Sequence, residues 1–299
     1  MKVMIAVPCM DTVPAVFTEC LVGLMKPEGT VLVTARSSLI YDARNLLAKM
    51  AIDKGFDRIL WLDSDMVFGN DLLLRLMNDM DGKHGWVAYE TGDDTAVPSS
   101  DGWVPSGANA DTVKANIPDA ENSPKIQKAN SDKNTPKIDS PNNATTAAEK
   151  RVPLGHDITF PRHVSDSSQV VKPRYVSGLY FTRKNPIKPV AYKETGFHTT
   201  DAGLVPYCDP IDGDYGNNDL MQVAATGLGG CLMDVKLLQE VYSAFGLPFS
   251  PQQGFGEDLS FCRRLEEMGI PMYLDTGVKM GHVAQTVVGE EQYRSGYVL

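Results

Sequence analysis

The sequence has 299 residues, of which 42% are hydrophobic and 22% are charged, and its formal net charge is −10 at pH 7. This is the composition of a globular protein with enough chain to bury a core in one large domain or two small ones. The negative charge argues against a surface drawn as a whole to nucleic acid or anionic membrane. Six basic residues from Lys172 to Lys193, with no acid among them, still allow a local basic patch.

The cysteines and the chain start both favour a cytoplasmic protein. The five cysteines are widely spaced without a CxxC pair, which predicts reduced thiols rather than a disulfide framework or a zinc site. The opening apolar run is interrupted by Pro8 and Asp11, so we interpret it as a buried strand rather than a signal peptide. No stretch approaches the roughly 20 apolar residues that span a bilayer.

The first ninety residues alternate between strand and helix patterns. In chain order the predicted elements are a strand at Val3–Val7, a helix from Pro14, a strand at Thr30–Thr34, a helix at Asp42–Lys54 ended by Gly55, a strand at Arg58–Leu62 and a helix at Asp71–Met80 capped by Asn70. Such alternation predicts an α/β fold with a largely parallel sheet covered by helices on both faces.

The chain changes character after residue 90. From Thr91 to about Lys150 it is rich in polar residues and proline, which predicts an inserted loop or a disordered excursion. Later elements are a strand at Tyr175–Phe181, a strand at Gln222–Ala225, helices at Asp234–Phe245 and Asp258–Met268, and a strand at Pro271–Leu274. We therefore divide the chain into a first half (1–90), a polar insert (91–174) and a second half (175–299).

Two carboxylates, Asp63 and Asp65, directly follow the predicted strand that ends at Leu62. In an open α/β sheet, ligands bind outside the carboxyl ends of the strands, so this DxD motif lies where a site is expected. Carboxylates are suitable ligands for Mg²⁺ or Mn²⁺, which are commonly shared with substrate phosphates. The alternative is that one aspartate caps the following turn and the other faces water.

A second group of acids opens the last predicted helix. Gly254 and Gly256 allow close approach of a ligand to the backbone, and Glu257 and Asp258 follow in the first turn of the helix. Either acid is a candidate general base if burial or phosphate charge raises its pKa. The alternative is a structural role, since acids at helix N-termini are favoured by the helix dipole.

Three further residues complete the candidate site. His282 is a candidate third metal ligand, because a neutral imidazole binds Mn²⁺. Arg44 is suited to holding phosphate or carboxylate, and Asp42 to accepting from a base or a ribose hydroxyl, with helix capping by Asp42 and a solvated Arg44 as the alternative. We expect no function for the other histidines, which are His84, His156, His163 and His198.

Together these motifs resemble the GT-A glycosyltransferases, especially the family-two-like members of bacteria and bacteriophages. The resemblance covers Met1 to Tyr89 and about Tyr175 to Tyr293, and leaves the polar insert unmatched. It implies a mixed sheet flanked by helices, with Asp65 on the metal and Asp63 on the metal or the donor ribose. The segment ending at Pro8, together with Asp42 and Arg44, then lines the nucleotide pocket.

The resemblance also implies roles on the acceptor side. Asp258 corresponds to the base of an inverting enzyme, whereas the Gly281-His282-Val283 step is similar to the third metal ligand of polypeptide N-acetylgalactosaminyltransferases, which retain configuration. The stereochemical course therefore stays open.

The implied function is a metal-dependent hexosyltransferase that uses Mn²⁺ or Mg²⁺ and a nucleotide-sugar donor, most simply a UDP-sugar. The acceptor stays open among a saccharide, a lipid-linked sugar, a protein and a modified base of phage DNA, and the expected location is the cytoplasm, that of the host if the chain is phage-encoded. A nucleotidyltransferase on a similar sheet and a catalytically inactive nucleotide-sugar-binding module are the alternatives. The first half lacks the Gly-rich basic signature that a nucleotidyltransferase would place after the first strand.

Overall fold

The computed structural model describes residues 1–84, 151–153, 162–163, 171–183, 186–201, 203–213 and 215–284. Most of the predicted polar insert lies outside these residues. Within them the helices are α1 (Ala15–Gly23), α2 (Ile40–Asp53), α3 (Leu72–Met80), α4 (Val235–Phe245) and α5 (Glu257–Glu267). The strands are β1 (Val3–Cys9), β2 (Val31–Arg36), β3 (Arg58–Leu62), β4 (Met66–Phe68), β5 (Arg151–Pro153), β6 (Arg162–His163), β7 (Tyr175–Leu179), β8 (Ala191–Thr200), β9 (Gly203–Pro210), β10 (Leu220–Val223), β11 (Ala225–Thr226), β12 (Gly230–Asp234) and β13 (Met272–His282).

The main sheet has the strand order β2-β1-β3-β12-β7-β13-β10-β6, and β4 pairs with one end of β13. β1 is parallel to both β2 and β3, and β7 is parallel to β13. β12 lies antiparallel between β3 and β7, with Cys231 opposite both Trp61 and Ser177. The expected mixed sheet flanked by helices is confirmed. The expectation of a largely parallel sheet holds for the first three strands and for β7 with β13, whereas the other described pairs of this sheet are antiparallel.

The sheet is covered on both faces because successive side chains of a strand point in opposite directions. Met4 and Ala6 of β1 pack into a core shared with α2, α4 and α5. Val3, Ile5 and Val7 pack on the other face, in a core shared with α1 and α3. β3 is buried on both faces, and its Trp61 lies edge-to-face with Phe249 at 5.0 Å between ring centroids.

A second, smaller sheet is antiparallel and has the order β11-β8-β5, with β9 also paired to β8. The hairpin of β8 and β9, which the sequence analysis does not predict, turns near Gly203, whose φ is 112°. β5 and β6 fall within the predicted insert of residues 91–174, and pair with β8 and β10 respectively. Apart from residues 171–174, the remainder of that prediction concerns residues outside the described ranges.

The predicted helices and strands are present with different ends, whereas β4, β8, β9 and β12 were not predicted. β1 continues one residue beyond Pro8 because Cys9 still pairs with Arg36 of β2. α3 begins at Leu72 with Asp71, not Asn70, as its N-cap residue. Gly55 and Gly269 follow helices with φ of 64° and 68°, as expected for glycines that end helices. All five cysteines are free thiols, and no helix in the described part of the chain is long and apolar enough to cross a membrane.

Candidate functional site

A cavity of about 560 Å³ lies beyond the carboxyl ends of β1, β3 and β7. This is the edge at which open α/β sheets bind ligands, and the volume falls in the range of about 300–1,000 Å³ for small-molecule sites. Its wall includes Pro8 of β1, residues 63–65 after β3, Tyr180, Thr182 and Arg183 after β7, Tyr192 of β8, Asp258 of α5 and His282 of β13.

Asp65 and His282 are brought together by backbone pairing between β4 and β13. Met66, the residue after Asp65, is opposite His282 in this antiparallel ladder, and Val283 N–H donates to the Asp65 carbonyl at 2.8 Å. His282 Nε2 lies 3.4 Å from Asp65 Oδ2. Its other ring nitrogen, Nδ1, lies 3.1 Å from the Phe181 carbonyl oxygen. Because a carbonyl only accepts, Nδ1 carries a proton, and Nε2 can donate to the carboxylate when the ring is protonated.

Asp65 is also paired with Arg183, whose Nη1 donates to Asp65 Oδ2 at 2.7 Å. Partial burial alone would raise the pKa of Asp65, but the hydrogen bond with His282 and the charge of Arg183 outweigh it and lower the pKa. The same hydrogen bond raises the pKa of His282. The Arg183 side chain is half exposed, so this guanidinium can exchange Asp65 for an anionic ligand in the cavity.

Arg44 lies behind the cavity wall rather than in it, since only 1% of the residue is exposed. Its Nη2 donates to Asp63 Oδ1 at 2.7 Å and its Nε to Glu257 Oε1 at 3.3 Å. The guanidinium also lies 5.6 Å from the centroid of the Trp61 ring. Arg44 therefore joins the end of β3 to the start of α5, and it orients one aspartate of the predicted DxD motif.

Asp258 is the acid of the predicted pair that lines the cavity, whereas Glu257 points to Arg44. Burial, reinforced by the charge of Glu257, raises the pKa of Asp258 from 3.8 to about 6. The hydrogen bond from Leu259 N–H to Asp258 Oδ1, 2.7 Å long, and the charge of Arg44 limit this rise. A carboxylate with this pKa is ionised at neutral pH and remains basic enough to accept a proton.

The structure thus gathers Pro8, Asp63, Asp65, Asp258 and His282 around one cavity, and it places Arg44 and Glu257 directly behind. Asp42 is exposed on α2 and is not part of the cavity wall.

Sequence reasoning did not assign Tyr180, Tyr192 and Arg183 to the site. Tyr180 is buried, accepts a hydrogen bond from Gly229 N–H at 3.1 Å and lies edge-to-face with His282. No local pattern marks these residues, because long-range strand pairing brings them to the cavity.

Among the described basic residues of the stretch from Lys172 to Lys193, Arg183 is the one that lines the cavity. Arg174 pairs with Glu240 at 2.9 Å, and Lys193 with Asp212 at 2.9 Å. These pairs neutralise part of the positive charge that the sequence concentrates there.

Asp65 and His282 offer a carboxylate and an imidazole side by side, a donor set that suits Mn²⁺. Asp63 does not form a group of three close ligands with Asp65 and His282. The described part of the chain contains a different group of three possible ligands, Asp79, His84 and Asp275. Their ligand atoms lie within 4.8 Å of one another. A metal held by Asp63, Asp65 and His282 together stays a prediction. Of these three predicted ligands, the structure brings Asp65 and His282 together.

No protein-family model matches this sequence. No curated protein matches it either. Among solved structures, A197 from STIV has a TM-score of 0.43 and 13% identity, over 95% of this chain and 87% of that chain. GalNAc-T7, in a structure with UDP, GalNAc and Mn²⁺, has a TM-score of 0.46 and 8% identity, over 95% of this chain and 44% of that chain. This chain therefore spans less than half the length of GalNAc-T7, and neither similarity assigns a role to any residue of the cavity.

Proposed function

We propose that the protein is a glycosyltransferase that takes a hexosyl group from a UDP-sugar with the help of Mn²⁺ or Mg²⁺. The observation that carries the proposal is one cavity whose wall combines the Asp65–His282 pair with Asp258, an acid of raised pKa. Glycosyl transfer needs these two functions together, charge compensation at the departing diphosphate and a base at the acceptor hydroxyl.

Asp65 and His282 are the residues that would hold the divalent cation. His282 donates through Nδ1 to a backbone carbonyl, an arrangement typical of ligating histidines, and its Nε2 is directed at Asp65 and can bind a metal once it has lost its proton. When bound, such a cation offsets the negative charge that develops on the diphosphate as the sugar–phosphate bond breaks. Arg183 adds a positive charge on the same side of the cavity, where its guanidinium is free to turn from Asp65 to a phosphate.

Asp258 is the proposed general base. In an inverting reaction its carboxylate accepts the proton of the acceptor hydroxyl as that oxygen forms the bond to the sugar. Arg44 supports both halves of the site as a positioning residue, because it contacts Asp63 at the donor side and Glu257 beside Asp258. A retaining reaction does not proceed by this direct displacement, and Asp258 would then lie beside the acceptor. Analysis of the product anomer distinguishes the inverting from the retaining course.

The first test is calorimetric titration of UDP into the full chain with and without Mn²⁺. We expect binding that requires Mn²⁺ and that weakens at least tenfold in Asp65→Asn, since a ligand to the cation is lost. Asp71→Asn is the matched control, because the Asp71 side chain is 26% exposed against 28% for Asp65 but lies outside the cavity wall. The proposal fails if a folded sample does not bind UDP with Mn²⁺, or binds it equally well in Asp65→Asn.

The second test separates catalysis from binding. Hydrolysis of UDP-hexoses without an acceptor measures transfer of the sugar to water. Screening of saccharide, lipid-linked, protein and DNA acceptors then measures transfer to an acceptor. We expect Asp258→Asn to bind UDP like the wild type and to lose transfer. Binding without turnover by the wild type would indicate a binding module, and release of pyrophosphate from nucleoside triphosphates would indicate a nucleotidyltransferase. A DNA acceptor would show binding that weakens steeply with salt.

A further inference from the structure

A second polar cluster lies away from the cavity and is formed by Asp79, His84 and Asp275. Asp79 is in the last turn of α3, His84 follows that helix, and Asp275 is in β13. One ligand atom from each residue lies within 4.8 Å of the other two. None of the three lines the cavity, and Asp275 is seven residues from His282 along one strand, on the order of 20 Å.

The ring of His84 is oriented with one nitrogen toward the two carboxylates. Its Nε2 lies 2.9 Å from the carbonyl oxygen of Asn218, and because a carbonyl only accepts, Nε2 carries a proton there. The other nitrogen, Nδ1, donates to Asp79 Oδ1 at 2.7 Å and lies 4.0 Å from Asp275 Oδ2, and a bound metal would take the place of the Nδ1 proton. Ligating histidines commonly donate one ring N–H to a backbone carbonyl and present the other nitrogen to the metal.

The two carboxylates are almost fully buried, each with a side chain that is 2% exposed. Asp275 Oδ1 accepts the Gly277 N–H at 2.7 Å, and Asp275 Oδ2 faces the cluster. Asp79 Oδ2 is buried and has no hydrogen-bond donor among the described residues. The His84 imidazolium balances one carboxylate at most, so the second buried carboxylate leaves an excess negative charge, and buried charges in proteins are paired or coordinate metals.

We propose that Asp79, His84 and Asp275 form a second cation site, which binds a divalent transition metal such as Zn²⁺ or Mn²⁺. One imidazole and two carboxylates are suitable ligands for either ion. The site connects the end of α3 and the chain just after it, at His84, to the middle of β13, which is distant in sequence. The bound cation therefore stabilises the fold on the side of the sheet covered by α3. This inference is independent of the proposed transferase activity.

The test is calorimetric titration of Zn²⁺ into full-length protein carrying Asp65→Asn and His282→Gln, without nucleotide, so that the donor-site ligands are absent. We expect one Zn²⁺ per chain and at least a tenfold loss of affinity when Asp79→Asn is added. His198→Gln is the control for non-specific binding to histidine, since His198 stacks on Tyr207 outside the cluster. It should leave the affinity unchanged.

A second measurement needs no substitution in the cluster. Co²⁺ added to the folded Asp65→Asn, His282→Gln protein should broaden or shift the ring resonances of one histidine before the others, and His84→Gln identifies that signal. Asp275→Asn provides an independent ligand variant if Asp79→Asn does not fold. The proposal is overturned if neither Zn²⁺ nor Mn²⁺ binds at millimolar concentration, or if Asp79→Asn and Asp275→Asn both leave the binding unchanged.

Discussion

Removal of the Asp258 charge should stabilise the protein, because this carboxylate is ionised at neutral pH in a place that disfavours its charge. Burial and the charge of Glu257 raise its pKa from the ordinary value of 3.8 to about 6. At 1.36 kcal/mol for each unit of pKa, the difference corresponds to about 3 kcal/mol. Asparagine has nearly the same shape, and its amide oxygen can still accept the Leu259 N–H. We therefore expect Asp258→Asn to unfold with a free energy up to about 3 kcal/mol above the wild type at pH 8.

The sign of the pH dependence follows from proton binding. Between pH 4 and 6 the folded state holds the Asp258 proton more tightly than the unfolded state, so wild-type stability falls as pH rises through this window. Above about pH 6 the penalty is complete and constant. The stability difference between Asp258→Asn and the wild type should therefore be small near pH 4, grow up to about pH 6 and then level off.

Urea denaturation at half-unit steps from pH 4.5 to pH 8 measures this difference, provided the slope with urea concentration is the same in both proteins. Glu28→Gln is the control, because it removes an exposed carboxylate that is not part of the cavity wall. Its curve should follow the wild type at every pH. A gap of equal size at pH 4.5 and pH 8, or an Asp258→Asn protein less stable than the wild type at pH 8, would refute the reasoning.

Three further outcomes follow from the contacts around the cavity. Arg44→Met should lower the free energy of unfolding by up to about 3 kcal/mol at pH 7, because it leaves two partly buried carboxylates without their shared partner, and urea denaturation measures the loss. Arg183→Met should tighten Mn²⁺ binding in the absence of nucleotide, because the guanidinium competes with the cation for Asp65, and weaker Mn²⁺ binding in calorimetry would contradict this. Gly227→Ala should cost about 1–3 kcal/mol and weaken UDP binding, because the added methyl group meets the buried hydroxyl of Tyr180 on the cavity wall, and denaturation with UDP titration measures both effects.

The expected stabilisation by Asp258→Asn also bears on the proposed function of this residue. Catalytic groups are commonly held in environments that disfavour their charge, and the protein is more stable without them. An Asp258→Asn protein that is more stable and inactive would therefore connect the raised pKa to the proposed role as a base.

The local sequence was sufficient to predict the first three strands, all five described helices and several of their ends. These predictions depend on apolar periodicity and on residues such as Gly55 and Gly269, which act within a few positions of the chain. The position of Asp63 and Asp65 after β3 was predicted in the same way, since the edge of an α/β sheet that binds ligands follows from strand direction.

The sequence did not predict the β8–β9 hairpin, the antiparallel position of β12 or the full length of β13. These features depend on which strands pair, and pairing joins residues far apart in the chain. Leu62 lies opposite Gly230, and Met66 lies opposite His282. The strand Gly230–Asp234 begins at the last residue of a Gly-rich stretch, where no local pattern indicates a strand.

Only the tertiary structure decided which candidate residues line the cavity and which lie behind its wall. Arg44 and Glu257 are 213 residues apart and meet behind the wall, while Asp258, the next residue, faces the cavity. It also decided that His84, which has no local motif, joins two buried carboxylates. Sequence patterns identify side chains with suitable chemistry. Burial and the distance between charges, which set pKa and ligand geometry, exist only once the chain has folded.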